Sequence, residues 1–134
     1  MKFGIVLLYK TLTFDSAYLM KKIYYLSSCS TCARIINELK LKENGFIFQD
    51  IKSESITKDQ LDEMKKMSGS YESLFSRVAL KYKTLDPKPD SEAEYKKLIL
   101  NEYTFLKRPV IIIGDKIFVG NSKKVVAEAG NAIK

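Results

Sequence analysis

A chain of 134 residues, 46% hydrophobic and 29% charged, is the size and mix of one globular domain with a core of its own. It has no histidine, which excludes a histidine-based catalytic triad or metal site, and its two cysteines could supply half of a zinc site at most. The net charge of +7 comes from 20 lysines and three arginines interspersed with 16 acids, with no basic block interleaved with aromatics; it reads as a dispersed, solvated surface.

The longest apolar runs, "GIVLLY" and "PVIII", fall far short of the roughly 20 residues of a membrane span. Nothing resembles a disulfide-dense secreted scaffold, so a reducing cytoplasm is the expected compartment. Residues 1–19, "MKFGIVLLYKTLTFDSAYL", lack the small-residue cleavage site of a secretory signal. They are expected to be an N-terminal extension outside the domain, with "FGIVLLY" as an added edge strand the alternative. The domain is then 20–134.

"KIYYL" is β-branched and aromatic, a strand. Ser28 or Ser30 can cap the helix that follows, "TCARIINELKLKEN", with apolar positions at Ala33, Ile35, Ile36 and Leu39 and a stop at Asn44-Gly45. "FIFQDI" is a second strand. A helix over Thr57 to Met67 has Thr57 as its cap and Gln60 completing a capping box, and Ser68-Gly69 ends it. "YESLFSRVALKYKTL" reads as helical up to the break at "DPKPD". "SEAEYKKLILNEYTFL" is a helix capped by Ser91, with Glu94 at the box position. Pro109 precedes the strand "VIIIG", which turns through Gly114-Asp115 into "KIFVG", a β-hairpin. "NSKKVVAEAGNAI" closes as a helix capped by Asn121 or Ser122. The order specifies an α/β sandwich: a mixed four-stranded sheet, its first two strands parallel, with helices on both faces.

Both cysteines, Cys29 and Cys32, fall at the junction of the first strand and the first helix. At a helix N-terminus the Cys29 sulfur meets unpaired backbone N–H groups and the positive end of the helix dipole, both favouring the reactive thiolate. Cys32, one turn inside, is placed to attack a mixed disulfide at Cys29. Two unrelated thiols, with Cys32 merely buried, are the structural alternative. In "FLKRPVIII", Pro109 cannot donate to a strand ladder, and Arg108 is a residue type suited to fork-like recognition of an oxyanion.

Taken together, "YYLSSCSTCARIINEL", "SLFSRVALKYKTL" and "EYTFLKRPVIIIGDKIFVGNSKKVV" resemble the ArsC/Spx family over nearly all of 20–134. The resemblance implies a thioredoxin-like, three-layer fold with an inserted helical segment. It implies thiol-dependent oxidoreductase activity of the arsenate reductase kind. It makes Cys29 the nucleophile, with Cys32 or an external thiol resolving, and glutathione, glutaredoxin or thioredoxin the reductant, with no bound cofactor or metal. Ser28, Ser30 and Thr31 match the loop that cups the anion, Arg108 the arginine that holds it, and Pro109 a cis-proline. Arg77 falls where the family carries one or two arginines facing the site. Two departures weaken arsenate itself as substrate: Gly120 stands where well-studied reductases carry a third arginine, leaving Lys123 or Lys124 to supply charge, and Cys32 has no counterpart in the single-cysteine reductases. The alternative implied is an Spx-like redox switch that binds RNA polymerase.

Overall fold

The computed structural model describes residues 20–134, so both readings of residues 1–19 lie outside the described residues. Four strands form one sheet: β1 (Lys21–Tyr25), β2 (Ile47–Asp50), β3 (Val110–Ile113) and β4 (Lys116–Val119). Their order is β2-β1-β3-β4, with β1 parallel to β2, antiparallel to β3, and β3 antiparallel to β4. Ile23 sits between Phe48 and Ile111 in register.

The two central strands are β-branched and aromatic because both of their faces are covered. Alternation sends Ile23 and Ile111 to one face and Tyr24, Val110 and Ile112 to the other. On the first face pack helices α1 (Ser30–Glu38), through Ile35 and Ile36, and α4 (Lys123–Ile133), through Ala129. On the second pack α2 (Lys58–Ser68), through Leu61 and Met64, and α3 (Glu92–Asn101), through Tyr95 and Ile99. The i, i+3 spacing of Leu61 and Met64 and the i, i+4 spacing of Tyr95 and Ile99 put one stripe of each of these two helices on the sheet. The three-layer sandwich and mixed sheet expected from the sequence are present.

Three local expectations are corrected. The first helix ends at Glu38, not at Asn44: Lys40 takes a left-handed conformation with φ 53°, and Leu41–Asn44 is a separate 3-10 turn. The Asn44 side chain closes that break by donating to the Lys40 carbonyl at 2.7 Å. The stretch "YESLFSRVALKYKTL" is not one helix. It holds 3-10 turns at Glu72–Leu74 and Leu80–Thr84, joined by Phe75, which pairs with Leu106 across an isolated antiparallel bridge, and by a turn at Arg77 and Val78. Phe75 is fully buried between Tyr95 and Phe105, and packing its ring there outweighs helical propensity. Finally, α3 stops at Asn101, and Tyr103–Phe105 forms a 3-10 turn.

The caps explain where the helices begin. Thr57 accepts the Gln60 N–H and Gln60 accepts the Thr57 N–H, each at 3.0 Å, the expected capping box. Ser91 accepts the Glu94 N–H, but the Glu94 carboxylate reaches one residue further back and accepts from the Asp90 N–H at 2.9 Å. For α4 the cap is Ser122, not Asn121.

Candidate active site

Strand β1 delivers the chain to the site. After Leu26 the backbone turns, with the Cys29 N–H donating to the Leu26 carbonyl at 3.0 Å, and α1 starts at once. The cap of α1 is Cys29 itself, not Ser28 or Ser30. Its carbonyl accepts the Ala33 N–H at 3.1 Å, and its sulfur accepts the Cys32 N–H at 3.5 Å. Ser28 and Ser30 flank the thiol as exposed residues of the turn and first helical position, and Thr31 is half-buried.

The two thiols are unbridged and differ sharply. Partial burial alone would push the Cys29 thiol up. The N–H of Cys32, a hydrogen bond from the Cys32 thiol, the N–H of Thr31 and the charge of Arg108 outweigh it, and the net direction is below an ordinary thiol. Cys32 is fully buried, and burial first, then the neighbouring Cys29 sulfur, push it up to about 11 against the pull of the Leu26 backbone and Arg108. The half-exposed Cys29 sulfur is shifted toward the thiolate, and the buried Cys32 sulfur toward the protonated thiol.

A cleft of about 590 Å³ opens over Cys29. Its floor is Phe75, Ser76 and Leu106, and Val119 and Ser122 form the side belonging to β4 and α4. Arg108 lines it, immediately ahead of the buried Pro109, and the Arg108–Pro109 bond is cis. The guanidinium is steered from behind: Nη1 donates to the carbonyls of Thr104 at 3.3 Å and Leu106 at 3.4 Å. Its Nε is buried with no acceptor among the described residues.

Arg77 also reaches the cleft, but its Nη2 is engaged. It donates to Glu72 at 2.8 Å and to the Tyr95 hydroxyl at 2.9 Å, and the guanidinium lies 5.6 Å from the Tyr95 ring centre. Of the three arginines, Cys29 therefore shares its cleft with two, one of them tied to a carboxylate. Arg34, the third, pairs with Glu38 on the exposed face of α1. Gly120 takes φ 94°, and neither Lys123 nor Lys124 lines the cleft. The cap residue Ser122 does, which sequence reasoning missed: a glycine followed two residues later by a capping serine is the signal that a second helix N-terminus opens here. No group of three or more metal-ligating side chains occurs among the described residues, and none of the described helices is long and apolar enough to cross a membrane.

What fold and site define is a thioredoxin-like α/β domain with a cysteine pair at the first helix N-terminus and an arginine ahead of the third strand. The chain belongs to the ArsC family, whose pattern matches residues 24–129. Its fold is similar to that of SACOL0876 from Staphylococcus aureus, with 26% identity, a TM-score of 0.66, and coverage of 81% of this chain and 97% of that one. It is similar to an arsenate reductase (ArsC) related protein from Brucella melitensis, with 24% identity, a TM-score of 0.62, and coverage of 78% and 89%. An arsenate reductase from Vibrio cholerae shares the fold at 16% identity, with a TM-score of 0.67 and coverage of 82% and 97%. No curated protein matches the chain in sequence.

Proposed function

We propose that the chain is a thiol-dependent oxidoreductase of the arsenate reductase kind, with Cys29 as nucleophile and Cys32 or an external thiol resolving. The observation that carries this reading is the pairing, in one cleft, of a thiolate-favouring Cys29 with Arg108. A redox switch of the Spx type, acting on RNA polymerase, needs the cysteine pair but not the cleft.

With arsenate, the Cys29 thiolate attacks arsenic and a water leaves, giving a sulfur–arsenic bond. Arg108 holds the equatorial oxygens, with backbone N–H groups around Ser28, Ser30 and Thr31 facing the added charge. A second thiolate then attacks the Cys29 sulfur and forms a disulfide. The sulfur–arsenic electron pair stays on arsenic, which leaves reduced by two electrons as arsenite. With a disulfide in place of the oxyanion, the same thiolate attacks one sulfur, the S–S bond breaks, the other sulfur leaves as a thiolate, and Cys29 is left in a mixed disulfide. Glutathione, glutaredoxin or thioredoxin returns Cys29 to the thiolate, and no bound metal or flavin is required by either sequence.

The test is arsenate turnover coupled in turn to glutathione–glutaredoxin and to thioredoxin, for the wild type, Cys29→Ser and Cys32→Ser. Turnover abolished by Cys29→Ser is the expected result. No turnover in any arm, with the Cys29 thiolate intact by titration, overturns arsenate reduction.

A further inference from the structure

Among the described residues, the two most exposed large apolar side chains are Val78, 90% exposed, and Leu80, 80% exposed. Val78 lines the Cys29 cleft, and Leu80 lies two residues further along the segment that leaves its floor at Phe75 and Ser76. Their exposure is fixed by the packing between them. Ala79 is buried, and Tyr82 holds its ring edge-on to Phe75 at 5.8 Å. Ala79 and Tyr82 pack inward while Val78 and Leu80 point to solvent. Two adjacent apolar knobs beside a reactive thiol mark a contact surface.

The segment that carries Val78 and Leu80 is basic, and so is the cleft wall at Lys107. Arg77 and Lys81 are tied to Glu72 and Glu102, whereas Lys83, and Lys107 on the opposite wall, have no ion-pair partner among the described residues. We infer that Val78 and Leu80, flanked by Lys83 and Lys107, dock a dithiol protein that carries its exposed thiol on an apolar surface with an acidic margin. This rests on the thiol-oxidoreductase reading of Cys29 and names the kind of partner that site serves. A small thiol would sit within the cleft and leave Leu80, which is not part of its lining, in water. A second copy of this chain would bring +7 against +7.

The docked partner's thiolate attacks the Cys29 sulfur of a Cys29–Cys32 disulfide. A bond forms between the partner and Cys29, the Cys29–Cys32 bond breaks, and Cys32 leaves and takes a proton. The partner's second thiol attacks its own mixed-disulfide sulfur and releases the Cys29 thiolate. The partner ends as a disulfide, and two electrons have passed to this chain.

The experiment follows reduction of the diamide-oxidised full-length protein by thioredoxin, by glutaredoxin and by dithiothreitol. Val78→Ser/Leu80→Ser is expected to slow a protein reductant by about tenfold or more and to leave the dithiothreitol rate unchanged. Lys83→Glu is expected to slow the same protein reductant and flatten its dependence on salt. Equal protein-reductant rates in the double variant and wild type overturn the proposal, as does equal slowing with dithiothreitol. A wild type reduced by dithiothreitol but by neither protein overturns docking and leaves the thiol chemistry standing. A Cys29 that neither oxidises nor reacts with a small disulfide removes the underlying reading as well.

Discussion

Cys29 caps the helix at whose N-terminus it lies: its sulfur accepts the N–H of Cys32 at 3.5 Å, so the proposed nucleophile and its neighbouring thiol residue are joined by a backbone hydrogen bond. The geometry separates the two titrations. In the reduced protein, iodoacetamide should modify Cys29 at lower pH than an ordinary thiol, and Cys32, whose value is pushed up to about 11, only at markedly higher pH. For stability the signs are opposite. The lowered Cys29 value gives a contribution present above the unfolded thiol value and lost as pH falls through the folded one. The raised Cys32 value gives one present below the unfolded value and lost as pH rises through the folded one. Mass spectrometry of alkylated peptides across pH checks the order; simultaneous labelling would contradict it.

Cys32→Ser should leave the first step intact and remove the second. Treated with a small aromatic disulfide, the variant is expected to accumulate a stable adduct of one thiol at Cys29, while the wild type passes on to an internal disulfide. Intact-mass measurement distinguishes them. A wild type that also retains the adduct would assign resolution to an external thiol.

Arg108 is held by two backbone carbonyls and cannot be exchanged for lysine without losing its fork. Arg108→Gln and Arg108→Lys should each weaken phosphate, used as an oxyanion probe, by about tenfold or more, the cost of one charge-assisted hydrogen-bonded contact. Arg108→Gln should also move the Cys29 titration upward, since the guanidinium is one of the groups favouring the thiolate. Calorimetry reads the first effect and the pH–rate profile the second.

Gly120 has open space around its Cα, yet its φ of 94° lies where side-chain-bearing residues are strained. Gly120→Arg, which restores the third arginine of the reductases this chain resembles, should destabilise the domain by about 1–2 kcal/mol with no steric clash. Urea unfolding measures this. An unchanged midpoint would show that the turn relaxes freely.

The capping box at the start of α2 gives a control far from the thiols. Thr57→Ala should cost about 1 kcal/mol and leave Cys29 alkylation unchanged.

The parts legible in the sequence were those with local causes. The Thr57–Gln60 box, the Gly114-Asp115 hairpin and the alternation of Ile23 and Tyr24 each depend on a few neighbouring residues, and each is present. The thiol pair was placed correctly because strand, turn and helix follow one another without a gap. The segment around Phe75 was misread as helix because its conformation is decided by Tyr95 and Phe105, twenty or more residues away. Arg77 was legible as a cleft residue, but its tether to Glu72 and Tyr95 was not, since neither partner lies at a spacing that a sequence motif records. Nor could the sequence show that Cys29 would displace the neighbouring serines as cap: serine is the common choice, and the geometry of the turn after Leu26 selects the sulfur instead.

The Phe75–Leu106 bridge has a thermodynamic consequence. It is continued by the Ser76 N–H donating to Phe105 and the Lys107 N–H donating to Leu74, at 2.7 and 2.9 Å, and it stitches the inserted segment to the residues that carry Arg108. The cleft floor therefore exists only while that segment is folded onto the sheet. By mass action, a ligand at a hundred times its dissociation constant adds about 2.7 kcal/mol to unfolding. Through this seam the gain should reach the amides of Ser76 and Lys107, slowing their hydrogen exchange together with those of β3, so that an occupied site would be legible from the far side of the insertion.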